Sequence, residues 1–376
     1  MSERIESLET PRLLLDSGRL DRNLERMRRH LAAWPEVVFR PHMKTAKCVE
    51  VARRALPGGG PITVSTLYEA EYFFGHGFDD ILYAVGISPD KLARLDRLRS
   101  RGAKVSVILD SVAAAEAVSA HAGETGDAPP VLIEIDTDGH RSGVKPDDAV
   151  LTRIGRILSD AGLLAGVLTH AGESYSSRSL ADLHAYADLE RSGILRAVDR
   201  LRDAGLDAPV VSVGSTPSVL YARDLSGITE VRAGVFMFQD LVMAGAGVCT
   251  PNDLALSVLT TVIGHQPERG WIITDAGWMA LSRDRGTERQ AVDQGYGLVC
   301  DVSGERLGDL MVVSANQEHG VIADRGGRAV SPDDFPIGTK LRVLTNHACA
   351  TAAQHSGYTV VEGDAVVDRW DRERGW

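Results

Sequence analysis

The alternation of strand-like and helix-like segments between residues 17 and 235 is the feature that most restricts the fold. Helical patterns occupy Leu20–Leu31, Leu92–Arg99, Asp147–Ser159 and Leu180–Ala204. The eight apolar or β-rich runs are Val37–Met43, Ile62–Thr66, Ile81–Val85, Lys104–Leu109, Val131–Ile135, Ala165–Thr169, Pro209–Val213 and Glu230–Gly234. Such a series over roughly 200–250 residues is typical of a TIM (β/α)8 barrel. A doubly wound open sheet is the alternative, but no GxGxxG fingerprint follows the first strand, so the pattern favours the barrel.

A different pattern begins near residue 250. Strand-like runs are joined there by Gly, Pro, Asp and Asn turns, without a long helical period. The runs are Leu256–Gly264, Gly270–Asp275, Gly297–Val302, Leu310–Ser314, Lys340–Leu344 and Tyr358–Glu362. We therefore predict an α/β chain with two domains, a barrel over residues 17–249 and an all-β domain over residues 250–376. The apolar Arg12–Asp16 run is expected to pair into the second domain, which would add residues 1–16 to it.

Length, charge and cysteine content restrict the number of domains, the partners and the cellular compartment that the sequence predicts. A chain of 376 residues exceeds the size of one ordinary core, which agrees with two domains. The net charge of −11 argues against nucleic acid or an anionic membrane as a partner. No segment resembles a signal peptide or an apolar span of about 20 residues. The four cysteines form no CxxC pair, so the sequence predicts a reduced, cytoplasmic protein.

Lys44 closes the first strand-like run, in the segment RPHMKT (40–45). In a β/α barrel, catalytic groups lie at the carboxyl ends of the strands, where the loops and helices begin. A lysine at this place can form a Schiff base with a carbonyl cofactor such as pyridoxal phosphate (PLP). The alternative is an ordinary solvated lysine at the start of a helix. Lys44 is thus a candidate catalytic and cofactor-binding residue.

The loops after the fifth and sixth strands contain further candidates. Arg141 lies between glycine-bearing turns in EIDTDGHRSG (134–143), where its guanidinium suits a planar anion or a ring nitrogen. Asp136 and Asp138 in that loop fit an ordinary polar turn equally well. In LTHAGESY (168–175), His170 and Tyr175 offer an imidazole and a phenol. A histidine at a strand end is usually structural, and both interpretations of His170 stay open.

The loop after the seventh strand, VSVGSTP (211–217), is a candidate phosphate site. Gly214 permits close backbone approach, and the hydroxyls of Ser215 and Thr216 can donate hydrogen bonds. Pro217 suits the first turn of a helix, whose exposed N–H groups would hold a phosphate. The loops after strands seven and eight are the common phosphate site of this fold. An ordinary helix N-cap would explain Ser215 or Thr216 alone.

A candidate metal site lies in the second domain, in NHACAT (346–351). If this segment is extended, alternate side chains face one side, so that His347 and Cys349 reach one metal ion. Zn²⁺ accepts imidazole and thiolate ligands, and two protein ligands leave positions for water or substrate. A buried cysteine beside a structural histidine is the simpler alternative.

Taken together, these segments resemble the fold-type III PLP enzymes related to eukaryotic-type D-serine dehydratase, and within that group the bacterial hydroxyaspartate dehydratases. The segments that carry the resemblance are RPHMKT (40–45), ITVSTLYEAE (62–71), EIDTDGHRSGV (134–144), GVLTHAGESY (166–175), VVSVGSTP (210–217), EVRAGV (230–235), DAGWMALSRDRGT (275–287), ANQEHG (315–320) and NHACATAAQ (346–354). They keep their order over almost the whole chain, so the match to the family is specific.

The resemblance implies an alanine-racemase-like barrel, a β-domain and a homodimer. It implies that Lys44 is the PLP lysine and that Arg141 approaches the pyridine nitrogen. Phosphate contacts would come from Tyr175 and the loop Gly214-Ser215-Thr216, with His170 as a further cofactor contact. His347 and Cys349 would hold Zn²⁺ or another divalent metal such as Mn²⁺, Mg²⁺ or Co²⁺.

The activity implied is β-elimination from a small 3-hydroxy-D-amino acid, D-threo-3-hydroxyaspartate or D-serine, to a 2-oxo acid and ammonia. The related D-threonine aldolases carry an HCD-type segment, in which an aspartate meets the metal. Here Cys349 stands two residues after His347, which favours the dehydratases. Retro-aldol cleavage to glycine and an aldehyde stays open as the alternative. A non-catalytic PLP carrier is disfavoured, because such proteins lack a second domain.

Overall fold

A computed structural model describes residues 3–376 and contains both helices and strands. Its strands are β1 (Arg12–Asp16), β2 (Val38–Phe39), β3 (Ile62–Val64), β4 (Asp80–Gly86), β5 (Lys104–Leu109), β6 (Val131–Ile135), β7 (Leu164–Thr169), β8 (Val210–Val213), β9 (Glu230–Val231), β10 (Leu256–Gln266), β11 (Trp271–Thr274), β12 (Gly297–Cys300), β13 (Arg306–Ala315), β14 (Gly320–Asp324), β15 (Lys340–Thr345), β16 (Gly357–Glu362) and β17 (Ala365–Asp371). Short 3-10 helices connect several of these elements.

The α-helices are concentrated between the strands of the first two thirds of the chain. They are α1 (Ser17–Leu31), α2 (Val49–Ala55), α3 (Leu67–Gly75), α4 (Leu92–Arg99), α5 (Val112–Thr125), α6 (Ala149–Asp160), α7 (Leu180–Asp203), α8 (Thr216–Leu220), α9 (Leu241–Gly245), α10 (Trp278–Leu281) and α11 (Ala348–Ala352). Among residues 3–376, no helix combines the length and the apolar composition needed to span a bilayer.

The chain divides into two compact units. One consists of residues 3–26 with 235–374, and the other of residues 27–234 with 375–376. The domain limits expected from the sequence, 17–249 and 250–376, stay a prediction.

The unit of residues 27–234 contains a parallel (β/α)8 barrel. Its eight strands follow the order β2-β9-β8-β7-β6-β5-β4-β3. The sheet closes because His42, just after β2, forms a parallel bridge with Thr63 of β3. The backbone N–H of Met43 donates to the Thr63 carbonyl at 2.8 Å across this join. The predicted barrel is therefore confirmed, and each of the eight predicted strand-like runs overlaps a strand.

The barrel strands are buried because helices cover a parallel sheet on its outer face while side chains fill its interior. All five residues of β6 are buried, four of them apolar and the fifth the carboxylate-bearing Glu134. Four neighbouring strands contribute one buried apolar cluster, which consists of Leu82, Ile108, Leu132 and Leu168. This packing fixes the strand ends from which the functional loops emerge.

The unit of residues 3–26 and 235–374 is built around a nine-stranded sheet in the order β11-β14-β13-β12-β15-β10-β1-β16-β17. Because β11 also pairs with β10, the strands from β10 to β11 form a closed ring. The first strand, β1, pairs antiparallel with β10 and parallel with β16. The expectation that Arg12–Asp16 joins this sheet is thus confirmed. Two strands, β14 and β17, are absent from the sequence-based prediction.

Candidate active site

Lys44 lies in a turn at the carboxyl end of the first barrel strand. The chain leaves the bridge at His42, turns through residues 43–46 and begins α2 at Val49. The sequence suggested that Lys44 starts the helix, but the structure places it in the turn that precedes the helix. The Lys44 side chain is exposed, so its amine is accessible to a ligand.

Two histidines lie close to Lys44. The backbone N–H of Lys44 donates to Nδ1 of His42 at 3.3 Å. Nδ1 of His170 donates to the Gly214 carbonyl at 2.6 Å, which leaves Nε2 with a lone pair. Burial, followed by the positive charge of Lys44, lowers the pKa of both imidazoles, and Arg232 acts in the same direction. Together with the other neighbouring groups, these influences bring the pKa of His170 to about 3. Both imidazoles are therefore neutral near pH 7.

Arg232 is a buried cation that directly follows the last barrel strand, β9. Its guanidinium donates to the Thr169 carbonyl at 2.6 Å and to the Ser212 hydroxyl. Burial lowers the pKa of Arg232, while the nearby carboxylates, foremost Glu230, act in the opposite direction. A buried guanidinium close to neutral imidazoles favours an anionic ligand. No motif of the sequence assigned a role to Arg232, although a buried arginine at the end of a strand is uncommon and is itself a signal of function.

Arg141 lies at the surface, in the loop after β6. Its guanidinium donates to Oε1 of Glu134 at 3.2 Å, and its charge contributes to the low pKa of His170. In the same loop, Asp136 accepts hydrogen bonds from Lys145 and from a backbone N–H at 2.6 Å each, as the polar-turn interpretation expects. The predicted contact of Arg141 with a ring nitrogen stays a prediction.

Tyr175 lies in the 3-10 helix Gly172–Ser176, which follows β7. Its ring centroid is 6.1 Å from that of His170, and the two ring planes are inclined by 51°. The structure thus brings the predicted phenol and imidazole together on one loop. Their contacts with a cofactor stay predictions.

The loop after β8 has a fixed conformation. Ser215 is the N-cap of α8, and its hydroxyl accepts a hydrogen bond from the Ser218 N–H at 3.1 Å. The Ser218 hydroxyl accepts one in return from the Ser215 N–H, also at 3.1 Å, which completes a capping box. The Ser215 hydroxyl is also 2.7 Å from that of Ser174, in the loop after β7. Hydrogen bonds therefore join the two loops.

Gly214 is required at the start of this loop. A Cβ atom there would lie 1.9 Å from the Arg232 carbonyl oxygen, which no larger residue can accommodate. The Gly214 N–H donates to Glu190, and that of Ser215 to Ser218. These two N–H groups already have protein partners, and the phosphate contacts expected of Gly214, Ser215 and Thr216 stay predictions.

His347 and Cys349 lie at the start of α11 in the other unit. His347 is the N-cap residue, and Cys349 belongs to the first helical turn. The reason given from the sequence, alternation along an extended segment, is therefore wrong. The helix start nevertheless brings the two side chains into hydrogen-bonding contact.

Negative groups surround His347. Asp284 accepts a hydrogen bond from His347 Nδ1 at 2.6 Å, and the buried Asp240 accepts one from the Ala348 N–H at 2.9 Å. Burial, the largest single influence, lowers the pKa of His347. The hydrogen bonds to Asp284 and Cys349, together with the charge of Asp240, outweigh burial and raise that pKa to about 11.

This donor set fits a divalent cation. Imidazole and thiolate are ligands of Zn²⁺, and the carboxylates of Asp284 and Asp240 beside His347 favour positive charge at this place. Within residues 3–376, no three or more histidine, cysteine or acidic side chains form a metal-binding cluster. Two protein ligands would leave the remaining coordination positions for water or a substrate.

Family models match both parts of the chain. Residues 15–241 match the model described as "Alanine racemase, N-terminal domain". The chain belongs to the alanine racemase N-terminal domain family. Residues 255–361 match a second model, "Putative serine dehydratase domain". The predicted metal ligands, His347 and Cys349, lie in this second segment.

Several characterised proteins align with this chain over nearly their full lengths. D-threo-3-hydroxyaspartate dehydratase of Delftia sp. strain HT23 is 52% identical and is aligned over 100% of both chains. Its solved structure superimposes with a TM-score of 0.97 over 100% of both chains. D-serine dehydratase of Dictyostelium discoideum is 29% identical over 99% of this chain and 98% of the relative. 3-Hydroxy-D-aspartate aldolase of Paracoccus denitrificans strain Pd 1222 is 28% identical over 96% and 91%, respectively.

These matches confirm the resemblance to the D-serine dehydratase-related enzymes, including the hydroxyaspartate dehydratases. They also confirm the alanine-racemase-like fold. Side chains that the sequence analysis did not single out, namely His42, Glu190, Arg232, Asp240 and Asp284, surround the predicted site residues.

Proposed function

We propose that the chain catalyses β-elimination of water from a small 3-hydroxy-D-amino acid, with a 2-oxo acid and ammonia as products. It is a lyase of the dehydratase type. The observation that carries the proposal is the exposed Lys44 amine at the carboxyl end of the barrel, beside the neutral imidazoles of His42 and His170. The 52% identity to D-threo-3-hydroxyaspartate dehydratase supports that compound or D-serine as the substrate.

The residues fit two bound groups. An accessible primary amine near a buried arginine suits PLP, with Lys44 as the attachment point and Arg141, His170, Tyr175 and the loop Gly214-Ser215-Thr216 around it. His347 and Cys349 suit Zn²⁺, or alternatively Mn²⁺, Mg²⁺ or Co²⁺. When bound, PLP supplies an electron sink for charge at the substrate Cα, and the metal supplies Lewis acidity for the departing hydroxyl.

The side chains of the barrel have separate tasks in this proposal. Lys44 Nζ removes the proton from the substrate Cα. His170 carries a proton on Nδ1 and donates it in a hydrogen bond to the Gly214 carbonyl, so that only its Nε2 can accept a proton or a hydrogen bond. The guanidinium groups of Arg141 and Arg232 supply positive charge that attracts the anionic substrate.

Retro-aldol cleavage of a D-3-hydroxy amino acid, the reaction of D-threonine aldolases, is the second candidate. It would use the same lysine and metal pair but would need a base for the β-hydroxyl. The aldolase relative from Paracoccus denitrificans supports this alternative at the level of the family. Cys349 in place of an aspartate favours elimination. A homodimer without nucleic acid or membrane partners, located in the cytoplasm, completes the proposal.

Product analysis separates the two reactions. The full-length protein is incubated with D-threo-3-hydroxyaspartate, D-serine and D-threonine in turn. Elimination produces a 2-oxo acid and ammonia, whereas aldol cleavage produces glycine and an aldehyde. We expect the first pair of products from at least one of the first two substrates. Glycine as the only amino-acid-derived product would favour the aldolase.

The lysine assignment is tested on the protein itself. We expect absorbance at roughly 410–420 nm, as for a lysine–PLP Schiff base, and its loss in Lys44→Ala. Reduction with borohydride followed by peptide mass spectrometry should locate the adduct on Lys44. Lys104→Ala is the control, because Lys104 is an exposed lysine at the amino end of β5. An adduct on any other residue would contradict the assignment.

A further inference from the structure

Glu190 is a buried carboxylate in the middle of α7, with a side chain that does not reach solvent. It is 2% exposed, although it lies on a helix whose neighbouring charges face outward. Its carboxylate faces the barrel, where it contacts the loops after β7 and β8. None of the barrel chemistry described above uses this group.

The three hydrogen bonds of Glu190 come from two segments of the chain. Oε1 accepts from the Ala171 N–H at 2.9 Å and from the Gly214 N–H at 3.0 Å. Oε2 is bonded to the Ser218 hydroxyl at 2.5 Å. Ala171 directly follows His170, while Gly214 and Ser218 frame the start of α8. One carboxylate therefore ties the histidine loop to the predicted phosphate loop.

We propose that Glu190 is a positioning residue that holds these two loops in the arrangement that receives the phosphate group of the cofactor. This inference rests on the proposed function, because it presupposes that the loop Gly214-Ser215-Thr216 meets that phosphate. Without Glu190, two backbone N–H groups and one hydroxyl lose their common acceptor. The loops are then free to separate, and phosphate must order them on binding.

The geometry favours positioning over charge compensation. Arg232 is the charged group whose field acts on Glu190, and burial raises the pKa of the Glu190 carboxyl. The Arg232 guanidinium, however, directs its hydrogen bonds to Thr169 and Ser212. A carboxylate that accepts hydrogen bonds only from backbone N–H groups and a hydroxyl can be replaced by an amide of the same shape. The oxygen of a glutamine accepts both N–H bonds, and its NH₂ donates to the Ser218 hydroxyl.

The test compares PLP with pyridoxal, which lacks the phosphate. Full-length protein is freed of cofactor and titrated with each compound, and binding is followed through the Schiff-base absorbance. In Glu190→Ala we expect PLP affinity to fall roughly ten- to a hundredfold, as for loss of buried hydrogen bonds. Pyridoxal affinity should change by less than about twofold, because no phosphate has to be accommodated. Glu190→Gln should keep wild-type affinity for both compounds.

Two further variants guard against a folding defect. Ser218→Ala removes one of the three hydrogen bonds of Glu190, together with the capping-box bond from the Ser215 N–H, and should also give a PLP-selective loss. Ser111→Ala removes the N-cap of α5, whose hydroxyl accepts from the Ala114 N–H at 3.3 Å, and should leave both affinities unchanged. Equal losses of PLP and pyridoxal affinity would overturn the positioning role. A Glu190→Gln protein as weak as Glu190→Ala would also overturn it, in favour of charge compensation. Wild-type protein that takes up neither compound would instead refute the proposed function.

Discussion

At the scale of single residues, neighbouring groups fix the orientation of His347, which we propose as a metal ligand. Asp284 takes the Nδ1 hydrogen bond, so Nε2 is the ring nitrogen left for a ligand. A carboxylate in this position fixes the ring orientation and makes the imidazole a stronger donor. Asp284 is itself affected, because its hydrogen bond with His347 lowers the pKa of the Asp284 carboxyl.

We therefore expect Asp284→Ala to weaken Zn²⁺ binding by roughly ten- to a hundredfold, as for loss of a carboxylate that orients a metal ligand. Calorimetric titration of metal-depleted protein measures the change. Asp334→Ala, at an exposed aspartate of the same unit, is the control and should bind Zn²⁺ like the wild type. Unchanged affinity in Asp284→Ala would mean that Asp284 does not orient the ligand.

His170 predicts a pH dependence of stability. Its pKa is about 3 in the folded protein and near 6.5 in an unfolded chain. A base with a lowered folded pKa contributes stability above its unfolded pKa, and this contribution is lost as the pH falls from about 6.5 toward 3. The stability difference between wild type and His170→Gln should therefore shrink on acidification, by at most about 1.4 kcal/mol per pH unit. Urea denaturation of both proteins between about pH 5 and 7 measures this difference in the free energy of unfolding. A difference that stays constant with pH would contradict a lowered pKa of His170 in the folded protein.

At the scale of elements, the long helix α7 presents Glu190 to the barrel loops, and its start is fixed by a cap. The Ser179 hydroxyl accepts a hydrogen bond from the Asp182 N–H at 3.1 Å. We expect Ser179→Ala to lower the free energy of unfolding by about 1 kcal/mol. Ser192→Ala, at an exposed interior position of the same helix, should change it little. Urea denaturation distinguishes the two, and equal stabilities would argue against the cap.

The elements that the sequence reveals are those whose pattern is strong and local. Most barrel strands appear in the sequence as largely apolar runs because both of their faces are covered. β17 was missed because it lies at the sheet edge, where four of its seven residues are exposed and three of these four, Asp368, Arg369 and Asp371, are charged. β14 (Gly320–Asp324) was missed because only Val321 and Ile322 at its centre are large apolar residues and irregular segments border it on both sides.

The same limit applies to the site. Lys44, His170, His347 and Cys349 stand out because they end strands or form a short motif. Glu190 lies within a helical pattern and reads as one more surface charge, because nothing local shows that loops from two strands contact it. Such a role arises from long-range contacts, which a single sequence does not display.

At the scale of the whole molecule, the two proposed sites belong to different units. Lys44 lies in the unit of residues 27–234, whereas His347 and Cys349 lie in the unit of residues 3–26 and 235–374. The hydrogen bonds described above for each site join residues of one and the same unit. Loading of one site should therefore not depend on residues of the other, although turnover needs both.

Metal removal tests this independence. EDTA treatment, or Cys349→Ala, should abolish turnover of D-threo-3-hydroxyaspartate while the Schiff-base absorbance of the PLP-loaded protein persists, because Lys44 needs no metal to hold the cofactor. Conversely, Lys44→Ala should retain its metal, measured by elemental analysis, and lose the absorbance. Added Zn²⁺ should restore turnover to the EDTA-treated protein but not to Cys349→Ala, whose thiolate ligand is missing. Full turnover after thorough metal removal would rule out a metal-assisted departure of the hydroxyl. A side chain of the protein would then have to donate a proton to the leaving hydroxyl.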